Sequence, residues 1–116
     1  MPPFRLFSIK WSTSGEHMFI INGQFTAKAN CRAALTRMAA DLVKVSNTEA
    51  GCISYQFLED QTTPGNFLFF EKWKSREAIN EHFGKPYFQE FAKRFPEMIE
   101  GEATIEIHEI KNTESV

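Results

Sequence analysis

The sequence predicts an α+β fold in which helices cover one face of an antiparallel sheet. Segments with strand-type alternation and segments with helix-type spacing follow one another in the order β-α-β-β-α-β. Before this series, residues 1–17 begin with two prolines and end in a linker-like run, so they could add an edge strand or drape over the domain. We expect an N-terminal extension (residues 1–17), one domain (residues 18–111) and a frayed tail (residues 112–116).

The composition is that of one globular domain that can bury a core without disulfides or metal. Of the 116 residues, 42% are hydrophobic, and twelve are phenylalanines. The net charge of −2 is spread without a basic stripe, which argues against nucleic-acid binding. No apolar stretch is long enough to cross a membrane and no signal-peptide pattern is present, so we expect a cytoplasmic protein with reduced Cys31 and Cys52.

The first strand is predicted over residues 18–27, with Phe19, Ile21 and Phe25 on one face. Its other face begins apolar and becomes polar at the middle, which fits a face that partly lines a pocket. A helix is predicted over residues 28–46 because its apolar residues are spaced by four, three, four and three positions. This stripe consists of Cys31, Leu35, Met38, Leu42 and Val45.

Two further strands are predicted over residues 52–59 and 67–73, joined through a turn at Pro64-Gly65. The second of them is apolar on both faces. Phe67, Phe69 and Trp73 share one face, and Leu68 and Phe70 share the other. A strand of this kind should be covered on both sides.

The last helical region begins at Ser75, a good N-cap, and is predicted to reach Phe83, with Gly84 as a left-handed stop. Pro86 then begins a second helical segment. The final strand is predicted over residues 103–110. The helical segment that begins at Pro86 carries the aromatic stripe Phe88, Phe91 and Phe95.

This order of elements is the ferredoxin-like plan. Two helices cover one face of the sheet, and no sequence remains to cover the other face of the strands that are apolar on both sides. Pairing with a second copy of the chain would bury that face. We therefore expect a homodimer that forms an α+β barrel.

Several motifs occur along these elements in a fixed order. They are Gly51-Cys52-Ile53-Ser54-Tyr55, Phe70-Glu71-Lys72-Trp73-Lys74-Ser75, Ala78, Glu81-His82-Phe83 and Pro86-Tyr87-Phe88. The set resembles the antibiotic biosynthesis monooxygenase (ABM) family, whose members are small dimeric α+β barrels. The resemblance covers about residues 19–110 and leaves residues 1–17 outside.

The resemblance implies a cofactor-independent monooxygenase that oxidises a small aromatic, such as a quinol or a polyketide-like compound, with dioxygen. Such chemistry needs a base, a donor for the developing oxyanion and flat apolar walls. Two other functions stay open. One is a non-catalytic dimer that binds a small ligand, and the other is an isomerase that transfers protons without oxygen.

The expected catalytic residues are His82, which titrates near neutrality, and Asn22, which could hydrogen-bond a substrate oxygen. Packing of His82 and a structural hydrogen bond of Asn22 are the alternatives. Glu71 could be a pocket acid, an exposed residue or a salt-bridged residue, and Trp73 and Phe88 could instead belong to the core. The residues expected to bind substrate are Glu71, Gln24, Trp73, Phe69, Phe83, Tyr87 and Phe88.

Haem degradation, a reaction of some relatives, fits this sequence poorly. The resemblance aligns Asn22 with a haem-site asparagine, but it aligns His82 with the tryptophan of those relatives and Ala92 with their axial histidine. We expect no haem. We also expect no other metal or cofactor, because the three histidines are far apart and not spaced for ligation.

Overall fold

A computed structural model describes residues 10–11 and 18–116 of the chain. In this part of the chain, the predicted β-α-β-β-α-β order is present between residues 18 and 110, with one short strand before it and one after it. Short 3-10 turns precede the first helix and follow the last. The elements are β1 (Lys10–Trp11), β2 (Met18–Ala27), α1 (Arg32–Ser46), β3 (Cys52–Glu59), β4 (Asn66–Trp73), α2 (Arg76–Gly84), α3 (Pro86–Arg94), β5 (Ile99–Ile110) and β6 (Glu114–Ser115).

The main sheet contains four antiparallel strands in the spatial order β3-β4-β2-β5. Strands β4 and β2 therefore lie at the centre of this sheet, and β3 and β5 lie at its edges. The three helices pack on one face. This arrangement is ferredoxin-like and confirms the predicted fold class. None of the helices in the described part of the chain has the length and apolar character that crossing a bilayer requires.

The core lies between the sheet and the helices and consists mainly of aromatic rings. Phe25 at the centre of the sheet lies within 5.8 Å of Phe67 and Phe69, and the ring of Phe95 meets it edge-on at 4.8 Å. Strand alternation explains this packing, because every second residue of β4 faces the helices and is buried. The residues predicted to share one face of each central strand do so, and the structure shows that this face meets the helices.

Helix α1 differs from its prediction in where it begins and in which residues it buries. It begins at Arg32, after a 3-10 turn, rather than at Lys28. Val45, predicted to lie in the apolar stripe, is 43% exposed. The buried residues are Leu35, Ala39, Leu42 and Ser46, of which Leu35 and Leu42 belong to the predicted stripe.

Helix α2 begins as predicted and ends for a different reason. The Ser75 hydroxyl accepts a hydrogen bond from the backbone N–H of Ala78 at 3.0 Å. Gly84 does not adopt a left-handed conformation; it is the last helical residue. The chain leaves the helix at Lys85, with φ −66° and ψ 137°, because the ring of Pro86 excludes the helical conformation for the residue before it.

Strand β5 begins at Ile99, four residues earlier than predicted. The prediction missed these residues because the pairing of β5 with β2 contains an irregularity. Thr26 pairs with Glu100, but Gln24 pairs with Thr104, so β5 has two extra residues over this step. Gly101 lies within the extra stretch and has a positive φ of 63°. The interruption hides the strand pattern in the sequence.

The two terminal strands form a separate sheet. Lys10 pairs with Ser115, and Trp11 pairs with Glu114. Part of the segment predicted to be a frayed tail is therefore a strand. The rest of the predicted N-terminal extension lies outside the described residues.

The position of Gly51, just before β3, leaves no room for a side chain. A Cβ atom at this position would lie 2.3 Å from the Cβ of Ala78 in α2. The backbone carbonyl of Gly51 also accepts a hydrogen bond from the N–H of Lys74 at 2.9 Å, so this segment cannot move away freely.

We predict that Gly51→Ala lowers the free energy of unfolding by about 1–3 kcal/mol, the usual cost of overpacking. The control is Gly84→Ala, where a Cβ meets no atom within 4 Å and the backbone is helical. This control should be neutral or gain up to about 1 kcal/mol. Urea denaturation of both variants tests the prediction, and equal stabilities would contradict it.

Candidate active site

A cavity of about 450 Å³ lies between the helix-facing side of the sheet and the helices. Its size is that of a pocket for a small organic ligand. Ile105 of the edge strand β5 lines it and is 62% exposed, which places the mouth of the cavity at this edge. The aromatic lining residues are Phe25, Tyr55, Phe69, Phe83, Phe88, Phe91 and Phe95.

Glu71 is the carboxyl group in this wall. Strand alternation places it between Phe69 and Trp73 on the helix-facing side of β4, where it is 5% exposed. Its Oε1 accepts a hydrogen bond from the indole N–H of Trp73 at 3.0 Å. The Glu71 carboxyl is therefore held in place at the surface of an otherwise apolar cavity.

The surroundings of Glu71 raise the pKa of its carboxyl group into the neutral range. Burial raises the pKa of Glu71 to about 7, hydrogen bonds from Trp73 and Tyr55 oppose the rise, and the Glu49 carboxylate adds to it. A carboxyl with this pKa can accept a proton at neutral pH and release it again.

Tyr55 lies directly opposite Glu71 in the register of β3 and β4 and is 3% exposed. Burial and the Glu71 carboxylate raise the pKa of Tyr55 above its ordinary range, and the Ser46 hydroxyl opposes the rise. The Tyr55 hydroxyl thus keeps its proton and is a hydrogen-bond donor. Among the described lining residues, only Tyr55 and Glu71 have polar side chains.

A second polar cluster lies behind the cavity wall and is formed by Glu49, His82 and Tyr87. One carboxylate oxygen of Glu49 lies 2.6 Å from Nδ1 of His82 and also accepts a hydrogen bond from the Tyr87 hydroxyl. The imidazole is fully buried, with ring centroids 4.6 Å from Trp73 and 4.7 Å from Phe88. Burial raises the pKa of Tyr87 to about 12, and the Glu49 carboxylate adds to the rise.

The protonation of His82 follows from this environment. Burial lowers the pKa of His82, although Glu49 opposes the change. The neutral imidazole then carries its proton on Nδ1, facing Glu49. Its Nε2 is buried and has no hydrogen-bond partner within the described residues.

The structure brings some of the predicted site residues together at the cavity. Glu71, Phe69, Phe83 and Phe88 line it. Trp73, His82 and Tyr87 do not: the first holds Glu71, and the other two belong to the cluster with Glu49. The alternative that Glu71 is exposed is wrong, because this side chain faces the core.

Asn22 and Gln24 lie on the opposite face of the sheet. Their neighbours Ile21 and Phe25 face the helices, and alternation turns both amides away from the cavity. The expected pair of His82 and Asn22 is therefore separated by the sheet within one chain. Oδ1 of Asn22 is buried with no hydrogen-bond partner among the residues described.

Sequence reasoning missed Glu49 and gave Tyr55 no role. Glu49 lies in a turn-rich segment that resembles an ordinary loop, and its partner His82 is 33 residues away. No local spacing connects the two. Tyr55 was visible as part of a motif, and its cross-strand position opposite Glu71 follows only from the register.

Over the described ranges, no group of three or more His, Cys, Asp or Glu side chains is arranged to hold a metal ion. Cys52 is half-buried close to Glu71 and Glu49. Burial first, and then the two carboxylates, raise the pKa of Cys52 to about 11, so its thiol stays protonated and weakly nucleophilic.

Comparison with known proteins gives two related chains. The uncharacterized protein sll1783 of Synechocystis is 35% identical over 97 residues, which are 84% of this chain and 66% of that protein. The chain thus spans about two thirds of this relative's length. Rv0793 of Mycobacterium tuberculosis is 28% identical over 76 residues, which are 66% of this chain and 74% of that protein.

Solved structures show the same fold. The Rv0793 structure has a TM-score of 0.75 at 23% identity and covers 78% of this chain and 92% of its own. SO0527 of Shewanella oneidensis has a TM-score of 0.76 at 24% identity and covers 94% of this chain and 100% of its own. The family model described as antibiotic biosynthesis monooxygenase matches residues 18–94. The chain therefore belongs to the antibiotic biosynthesis monooxygenase family.

Proposed function

We propose that this protein is a cofactor-independent monooxygenase that oxidises a small, electron-rich aromatic, such as a quinol or a polyketide-like anthrone. One observation carries the proposal. Glu71, a buried carboxyl with a pKa raised to about 7 by burial, lies in the wall of a cavity that is otherwise almost entirely apolar and aromatic. Membership of the family supports the same chemistry.

Glu71 is the proton acceptor in this proposal. It removes the acidic C–H or O–H proton and leaves a carbanion or phenolate, which can transfer electrons to dioxygen. For a CH₂ carbon, a C–O bond forms to give a peroxide anion, which regains the proton from Glu71. Loss of the second C–H proton and cleavage of the O–O bond then give a ketone and water. The substrate supplies all four electrons.

The apolar walls contribute by excluding water and by accommodating both dioxygen and a planar ring. Behind the wall, His82 packs on Trp73, whose N–H holds the Glu71 carboxylate. We assign His82 a positioning role through Trp73, since the Glu71 carboxyl, and not the imidazole, lines the cavity.

We predict that Glu71→Gln lowers the rate of oxygen uptake with menadiol or an anthrone by about 10²–10⁴-fold, the usual contribution of a general base. The wild-type rate should rise with pH through about 7, as Glu71 loses its proton. Glu77→Gln, which changes an exposed carboxylate in the first turn of α2, is the control. A Glu71→Gln variant with the wild-type rate would contradict the assignment.

Proton transfer without oxygen is the competing chemistry, because the same carboxyl could serve an isomerase. The two differ in a simple measurement. A protein that exchanges substrate protons with deuterated solvent but consumes no oxygen would be an isomerase. A protein that binds the aromatic and does neither would be a ligand-binding protein.

We predict that Glu71→Gln also changes the free energy of unfolding. The folded-state pKa of Glu71, about 7 because of burial, lies above the ordinary value of 4.5, so this group stabilises the fold below its ordinary pKa and loses that contribution as pH rises through 7. Glu71→Gln should therefore gain stability relative to wild type between about pH 5 and pH 8, by up to about 3 kcal/mol. Denaturant unfolding at both pH values measures it, and a constant difference would contradict a buried, titrating Glu71.

We also propose that two copies of the chain pair through the sheet face opposite the helices. Ile20, Leu68 and Phe70 are half-buried there, and Leu58 is 45% exposed. The unpartnered Oδ1 of Asn22 is directed to the same face. An apolar face with an unsatisfied acceptor fits an interface between two copies.

We predict that Phe70→Asp converts a dimer to a monomer, because a carboxylate would be buried without a partner in the interface. Val45→Asp, on the exposed side of α1, should leave the assembly unchanged. Sedimentation velocity gives the mass of each variant. A wild-type monomer, or a dimeric Phe70→Asp variant, would disprove this interface.

A further inference from the structure

Tyr55 is the second polar side chain in the cavity wall, and the proton transfer to Glu71 makes no use of it. It lies directly across from Glu71 in the β3–β4 register, so both side chains leave the same face of the sheet. Side chains at such positions are about 5 Å apart at Cβ. On the other side, Glu71 is paired with Ile21, which offers no polar group.

In the free protein, the Trp73 N–H donates a hydrogen bond to the Glu71 carboxylate at 3.0 Å, and the Tyr55 hydroxyl lies near enough to the same carboxylate to lower the pKa of Glu71. The Tyr55 hydroxyl is well suited to remain a donor throughout, because burial and the Glu71 carboxylate raise its pKa and keep its proton in place.

Proton transfer changes which acceptor the Tyr55 hydroxyl prefers. Before transfer, the negative charge is on Glu71. After transfer, Glu71 is a neutral acid, and the charge lies on the substrate in the same cavity. Hydrogen bonds to an anion are about twice as strong as those to a neutral group, so the donor is drawn toward the new anion. A hydrogen bond to the substrate oxygen that strengthens as charge develops there stabilises the transition state more than the bound substrate.

We propose that Tyr55 is a catalytic residue whose hydroxyl donates a hydrogen bond to the oxygen of the aromatic substrate as that oxygen becomes negative. The inference rests on the proposed function of the cavity and narrows its substrate class. The substrate is a planar aromatic whose acidic hydrogen and whose oxygen lie along one edge. Two polar groups side by side on one wall of an aromatic cavity fit that edge, and the remaining walls fit the apolar rings.

The test compares the loss of the Tyr55 hydroxyl with the loss of a hydroxyl elsewhere in the chain. Tyr55→Phe should lower kcat for anthrone or menadiol oxidation by about 10²-fold, as for loss of one oxyanion donor, with little change in KM. Thr36→Val removes an exposed hydroxyl that donates to the backbone carbonyl of Arg32 in α1, outside the cavity lining, and it should keep its rate within about threefold. Thermal unfolding checks that both variants are folded.

A second readout needs no turnover. The coloured phenolate of 2-hydroxyanthraquinone reports the ionisation of a bound aromatic, and wild type should ionise it at lower pH than Tyr55→Phe does. Glu71, His82 and Tyr87 are the titratable groups that face Tyr55, and they are the same in both proteins. If Tyr55→Phe matches wild type in both kcat and dye ionisation, Tyr55 is not the donor.

The two readouts separate failure of this inference from failure of the proposed function. If wild type consumes no oxygen but shifts the dye through Tyr55, the oxygenase proposal fails and the donor role stands. If wild type oxidises the substrate and Tyr55→Phe does so equally well, only the donor role fails. A wild-type protein that neither binds the dye nor consumes oxygen overturns both.

Discussion

The chemistry available in the cavity depends on the burial of one carboxyl group, that of Glu71, in an aromatic core. Glu71 occupies a position on β4 whose alternation partners are Phe69 and Trp73, and an apolar residue there would pack without penalty. The fold instead surrounds the carboxyl with the Trp73 N–H and the Tyr55 hydroxyl. These donors compensate only part of the cost of burial, and the remaining cost raises the pKa of Glu71 into the range useful for proton transfer.

The second buried cluster supports the first through packing. Glu49 meets His82 and Tyr87, and the imidazole in turn lies against Trp73. A buried histidine with a carboxylate on Nδ1 resembles a catalytic pair, but the cavity wall here is formed by neighbouring residues. The arrangement fixes the orientation of the indole, and hence of the Glu71 carboxylate, because each ring is in contact with the next.

Much of the fold could be predicted from local patterns. Alternation located the strands and grouped the residues that share a face of β2 and of β4, and Ser75 marked the start of α2 correctly. Predictions were wrong where tertiary structure decides the outcome. In α1, Ala39 and Ser46 are buried although they lie outside the predicted stripe. In β5, two extra residues around Gly101 interrupt the alternation, so the first residues of the strand were missed. The dimer interface remains a prediction.

Periodicity and short motifs are local properties, and they were enough to predict the order of the elements, the ferredoxin-like plan and the family. They also drew attention to Glu71, Trp73 and His82, but they did not separate the roles of these residues. The folded chain places Glu71 and Tyr55 together at the cavity, His82 behind the cavity wall with Glu49, and Asn22 on the far side of the sheet. Strand register and residues distant in sequence control these relations, and no spacing along the chain records them.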